Sequence, residues 1–190
     1  FPPLCLHYNT KSCVLQEVRH KMLYKIFCRA LPRGGICAII GETENGNMKK
    51  YKLDFQLVPD GCWYTNLRSA LPKEAWDRLR RAAYARAGGR CSICGRPGRL
   101  EAHEVWSYDD EKHIQKLENV IAVCPACHAV IHIGRTALLG KEPEAQAHFM
   151  KVNGCTQSEY HAALGEANRV HAERSRHEWV TDISKLKELL

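Results

Sequence analysis

The stretch CPACHAVIH, residues 124–132, carries two cysteines and two histidines within nine positions, and a packing helix has no need of any of them. A second Cys-x-x-Cys, Cys91 and Cys94, stands upstream, with 29 residues between the pairs. Four thiolates on two turns suit a closed tetrahedral zinc site, which supplies folding energy and leaves no open position for chemistry. With Cys91, Cys94, Cys124 and Cys127 spent in this way, His128 and His132 are spare. Four residues apart on a helix, they share a face and can grip a second ion. One more ligand would complete a functional site, and the candidate is His103 in LEAHEVW.

Elements on both sides must hold these groups in place. YKLDFQL at 51–57 alternates in part and predicts a short strand. After Pro72, a good first helical residue, KEAWDRLRRAAYARA runs to a glycine stop at Gly88-Gly89. Trp76, Leu79, Ala83 and Ala87 form its apolar stripe, and Arg78, Arg81 and Arg86 lie away from it. A strand is predicted over 100–106, then a polar loop SYDDEKHIQ, then LENVIAV leading into a helix over 125–133. Asp109, Asp110 and His113 fall in that loop, close to the expected site, and read as solvated polar residues. Two further helices are predicted near 143–152 and 157–178, the second opened by the capping-box form Thr156-Gln-Ser-Glu159. Trp63, Trp76 and Trp106 read as core or hairpin packing. His148 stands outside any ligand-like spacing, and His161, His171 and His177 read as helix-surface residues.

The whole composition sets the context for this cluster. A chain of 190 residues, 45% hydrophobic, can bury a real core. It contains no apolar run long enough to span a bilayer and no signal-peptide pattern at the start, so a soluble, cytoplasmic protein is expected. Paired Cys-x-x-Cys in a reducing compartment points to metal, and the other six of the ten cysteines read as buried or incidental thiols. The formal charge is +7, and between Lys73 and Arg99 eight basic residues face two acidic ones. A polyanion such as nucleic acid is the natural partner of that patch. Residues 1–47 lack a sustained period and read either as a small N-terminal strand-and-loop extension or, with Met48 as an alternative start, as translation upstream of the native domain. Residues 48–90 then supply the strand and basic helix, 91–134 the cysteine and histidine module, and 135–190 a helical extension.

Over residues 91–134, the parts CSIC, LEAHEVW, Asn119 in ENVIAVC, and CPACHAVIH resemble the HNH endonuclease family. The resemblance implies an α+β protein in which a zinc-supported ββα-metal (His-Me finger) module is flanked by helices. It also implies a metal-dependent endonuclease hydrolysing phosphodiester bonds in DNA, most naturally double-stranded. His103 corresponds to the first ligand of the working ion, and His128 and His132 to the ligands on the helix. Asn119 corresponds to the residue that braces the strand-to-strand loop and orients the catalytic base. The sequence departs from the family at Glu104, where most members have a histidine as general base. A carboxylate with a raised pKa can do that work, and it can equally be a ligand. In a regular strand His103 and Glu104 point to opposite faces, so both serve one site only if the strand twists or ends there. The resemblance makes Mg²⁺ the expected working ion beside a structural Zn²⁺, with Mn²⁺, Ni²⁺ or Zn²⁺ as alternatives; three imidazoles alone favour zinc or nickel. Arg78, Arg81 and Arg86 are the expected phosphate contacts. The rival reading is a non-catalytic, zinc-stabilised nucleic-acid-binding module, favoured if Glu104 marks a lost base.

Overall fold

The computed structural model describes residues 50–62 and 66–189. The expected 1–47 extension, the alternative start at Met48, and Trp63 lie outside the described residues.

The centre is an antiparallel hairpin of β1 (Glu101–Asp109) and β2 (Ile114–Val123), in which His103 pairs with Ile121 and Glu101 with Val123. A bulge falls where the register shifts between Val105 and Trp106, opposite Asn119 and Leu117. Much of the predicted polar loop is strand. Ser107 to Asp109 continue β1, and Ile114 and Gln115 begin β2, leaving a tight turn in which the Asp109 carboxylate accepts the amides of Glu111 (3.2 Å) and Lys112 (2.9 Å). His113 closes that turn with φ 52°. Polar composition misled there because the inward positions are themselves polar. Gln115 is buried and donates to the Tyr108 hydroxyl at 3.2 Å, while the Thr181 hydroxyl donates to it at 3.3 Å. Thr181 belongs to an unexpected short strand, β3 (Val180–Asp182), parallel to β2.

The hairpin is covered on both faces. On one lie α1 (Leu67–Ala70) and α2 (Lys73–Arg86), whose Leu67, Leu79 and Ala83 bury against Leu117 and Val120, with Ala102 and Trp106 alongside. The predicted stripe of α2 is present, with Leu79 and Ala83 buried and Trp76 half-buried. On the other face lie α3 (Pro125–Ile131), α4 (Ile133–Leu138), α5 (Glu142–Asn153) and α6 (Gln157–Arg174). Their core joins Val123, Cys127, Val130 and Ile131 to Phe149 and Tyr160, with Phe149 stacked on Phe55 at 4.9 Å and 3°. A last short helix, α7 (Leu186–Leu189), ends the described chain.

Residues 51–57 are not a strand. The segment is an extended strap whose alternation buries Leu53 and Phe55 against the helical layer. Asn153 pins it by accepting the Leu53 amide (3.0 Å) and donating to the Leu53 carbonyl (2.8 Å). The Gln56 amide donates to the Ile131 carbonyl at 3.0 Å. An amide side chain and a helix end thus supply the partners that a neighbouring strand would have offered.

The predicted helix over 125–133 stops at Ile131, where His132 leaves helical geometry at φ −98°, ψ 50° before α4 begins. The predicted α6 has its capping box, in which Thr156 and Glu159 bond reciprocally, but it ends at Arg174 rather than at 178. No helix among the described residues is long and apolar enough to cross a membrane.

Candidate metal centres

Two clusters on the α3 side of the hairpin have the makings of metal sites. In the first, the sulfurs of Cys91, Cys94, Cys124 and Cys127 lie within 4.8 Å of one another. Cys91 and Cys94 sit on a turn closed by Gly95 N–H donating to the Cys91 carbonyl at 2.9 Å, with Gly95 at φ 75°. A glycine suits that left-handed position because it has no Cβ to clash. The turn is tied to the hairpin by Ser92 N–H on the Ala122 carbonyl, 2.9 Å. Cys124 caps α3 by accepting the Cys127 amide at 3.5 Å, and its sulfur stands 3.7 Å from that of Cys94.

The four thiols perturb one another. Burial pushes Cys91 up, but the amides of Cys94, Cys124 and Ile93 outweigh it and bring the thiol down to about 7. Burial pushes Cys127 well up, and Cys94, Cys91 and Cys124 push it further. Four like charges at this separation do not form without a cation among them, and a bound cation deprotonates such thiols. The four sulfurs could therefore hold a metal ion such as zinc. His148, from α5, reaches the same centre, its Nε2 lying 3.2 Å from the Cys127 sulfur. Burial, then Arg96 and Lys151, hold His148 below its ordinary value. Sequence spacing gave no sign of this contact, because the separation of 21 positions between Cys127 and His148 is bridged only by the packing of α5 on α3.

In the second cluster, His103, His128 and His132 each offer a ring nitrogen, all within 4.8 Å of one another. The ring centroids are 5.4 Å apart for His103 and His128, 5.0 Å for His103 and His132, and 4.7 Å for His128 and His132. His103 is 5% exposed. Burial, then His132 and His128, bring it down to about 3. Burial, then His128 and Arg135, bring His132 down to about 4. These two imidazoles stay neutral in ordinary buffers, the form that binds a metal. Three converging imidazoles fit a borderline-soft divalent ion better than a hard one.

Two residues that sequence reasoning missed orient these rings. Glu101 Oε2 lies 2.6 Å from His128 Nδ1, and Gln56 Oε1 lies 2.9 Å from His103 Nε2. With Nδ1–H donated to the carboxylate, His128 keeps Nε2 free as an acceptor, the arrangement by which an outer partner fixes a ligand's tautomer. Glu101 was open to discovery, since it stands two residues before His103 on the same strand face. Gln56 was not, since 47 residues separate it from His103.

The other expected site residues lie elsewhere. Glu104 points to the opposite face of β1, where its carboxylate accepts the Leu67 amide at 2.7 Å. Burial raises its pKa, while the Leu67 amide, the Trp106 side chain and the Arg68 amide counter the rise. The strand remains regular through 103 and 104, with partners Ile121 and Val120, so alternation separates the two side chains. The condition for both to serve one site, a strand that twists or ends at these residues, is not met. Asn119 lies at the bulge rather than at the hairpin turn. Its Oδ1 accepts from its neighbour's amide, Val120 N–H, at 2.8 Å and from Arg86 at 3.5 Å.

Asp109, Asp110 and His113 stand at the turn end of the hairpin, six residues along β1 from His103 in the case of Asp109, or about 20 Å at strand rise. Their expected closeness to the site is corrected. Asp110 pairs with Arg174 through contacts of 2.6 and 2.8 Å, and His113 stacks on His177 with centroids 4.2 Å apart. His177 lies beyond α6, and His171 bonds the Val58 carbonyl at 3.1 Å, so neither is a plain helix-surface residue. On α2, Arg78 and Arg81 are exposed, while Arg86 donates to the Val120 carbonyl at 2.9 Å.

No family model, no curated protein and no solved structure matches the chain, so what is established of these residues is their geometry: four cysteines and three histidines placed to hold metal.

Proposed function

We propose that the chain is a metal-dependent endonuclease of the HNH type, hydrolysing phosphodiester bonds in DNA, with a ββα-metal module formed by β1, β2 and α3. The observation that carries this reading is the convergence of His103, His128 and His132 from a strand and the following helix, beside a separate four-cysteine centre. The cysteine centre is the structural zinc site. His103, His128 and His132 would hold the working ion, which supplies charge neutralisation on the phosphate and its leaving oxygen.

The chain's own part is to orient. Glu101 holds His128 by Nδ1, and Gln56 holds His103 by Nε2, so each ring presents one fixed nitrogen to the site. His103 is buried, which holds its ring in one orientation beside Gln56. With Glu104 turned to Leu67, the donor set is three imidazoles, and the preference moves from Mg²⁺ toward Ni²⁺ or Zn²⁺. Glu101 is then the carboxylate that touches the cluster, and the expected base role passes from Glu104 to it or to a histidine of the trio. The position of Glu104 also favours a second reading, a zinc-stabilised nucleic-acid-binding module that does not cleave.

Supercoiled plasmid incubated with the protein and Mg²⁺, Mn²⁺, Ni²⁺ or Zn²⁺ separates the two. Nicked or linear product with at least one ion, abolished by His128→Ala and by EDTA, is the expected result. Binding without cleavage under every ion gives the protein to the second reading.

A further inference from the structure

Beside the cysteine centre, on the α3 side of the hairpin, is a cavity of about 350 Å³ lined by Lys52, Cys94, Arg96, His148, Lys151 and Val152. The cations come from three separate pieces of chain: Lys52 from the strap, Arg96 from the turn after Cys94, and Lys151 from α5. All three are exposed, none is ion-paired with a described residue, and no acidic side chain lines the cavity. Cations that the fold gathers round one cavity with no acidic side chain in its lining raise the local positive potential and favour an anion there.

We propose that this cavity binds a backbone phosphate of duplex DNA through Lys52, Arg96 and Lys151. The inference rests on the proposed function for its partner and adds where that partner lies. The cavity wall includes His148, which touches Cys127, and the next residue is His128 of the three-histidine cluster. The exposed arginines Arg78 and Arg81 are on α2, across the sheet from that cluster. The cavity thus lies with the histidines on the α3 side of the sheet, where a backbone held near them would run, while α2 lies on the other side.

The rival account is that the cations offset the negative charge of four thiolates around zinc. Both are tested with the full zinc-loaded chain in a His128→Ala background, which prevents cleavage. Duplex affinity is measured by fluorescence anisotropy across roughly 50 to 200 mM salt. Lys52→Gln/Arg96→Gln/Lys151→Gln should lower the slope of log affinity against log salt by about 0.9, the amount for one phosphate no longer neutralised. Arg78→Gln/Arg81→Gln should lower it by less. Lys52→Gln/Lys151→Gln leaves the cysteine turn untouched and should still remove most of that amount, which keeps the test valid if the triple variant misfolds. Unchanged slopes in folded variants overturn the site and leave the proposed function standing. Lost zinc or a lowered melting temperature with an unchanged slope assigns the cations to the zinc centre and also overturns it. A parent chain that does not bind duplex even at low salt removes both the proposed function and the site.

Discussion

The two clusters draw on the same nine-residue stretch and are built in opposite ways. The cysteines come as two Cys-x-x-Cys pairs on turns, each local in sequence, and they meet where the turn after Gly89 docks on the start of α3. The histidines come one from the middle of a strand and two from a helix end, with outer partners supplied by the same strand and by a distant strap. Four ligands close a tetrahedral ion, whereas three leave a position for substrate. One centre is therefore suited to serve the fold, and the other is free to serve chemistry.

That contrast breaks most readily at the cysteines. Cys124→Ser removes one of the four sulfurs while its hydroxyl can still cap α3, and is expected to abolish zinc binding at this centre together with cooperative unfolding. A structural zinc carries on the order of 10 kcal/mol of folding energy. Metal content by atomic absorption, read beside a thermal melt, checks this. A variant that melts as the parent does would make the centre dispensable and erase the distinction.

A smaller effect is expected at the histidine cluster's support. Glu101→Gln keeps the size of the side chain but weakens the charge-assisted bond to His128, and should reduce affinity for the second ion by about 10- to 100-fold while the first zinc and the melting temperature stay put. Isothermal titration with Ni²⁺ or Zn²⁺ on protein with the cysteine site already filled reads it directly. Equal affinity in the variant would mean that His128 needs no outer partner.

Smallest of all should be Glu104. Because its carboxylate serves the first amides of α1, Glu104→Ala is expected to cost about 1 kcal/mol, and Glu104→Gln, which still accepts those bonds, less than that. Neither should change the affinity for the second ion. A drop in ion affinity with an unchanged melt in Glu104→Gln would return this residue to the histidine site and overturn its role as a cap.

Much of this was written in local pattern. The Cys-x-x-Cys pairs, the i, i+4 histidines, the apolar stripe of α2 and the capping box at Thr156 each depend on residues within one or two turns of one another, so spacing alone exposes them. Alternation likewise says that His103 and Glu104 face opposite ways once the strand is regular, and that Glu101 shares the face of His103. The ligand types, their grouping into four and three, and the elements that carry most of them were thus legible before any fold was known.

Long-range packing settled everything that depends on which distant segment fills which gap. Residues 51–57 have a strand's alternation, yet Asn153 and Ile131 took their backbone bonds and made them a strap over the helices. Gln56 came to His103 and His148 to Cys127 because α5 and the strap pack on α3, and no short-range period encodes that docking. Glu104 met Leu67 because α1 begins beneath β1, and a buried carboxylate takes the nearest unsatisfied amides. Side-chain type and spacing fix what chemistry is available; tertiary packing fixes the partner each group meets, since burial leaves a polar atom no water to bond and makes the neighbour decisive.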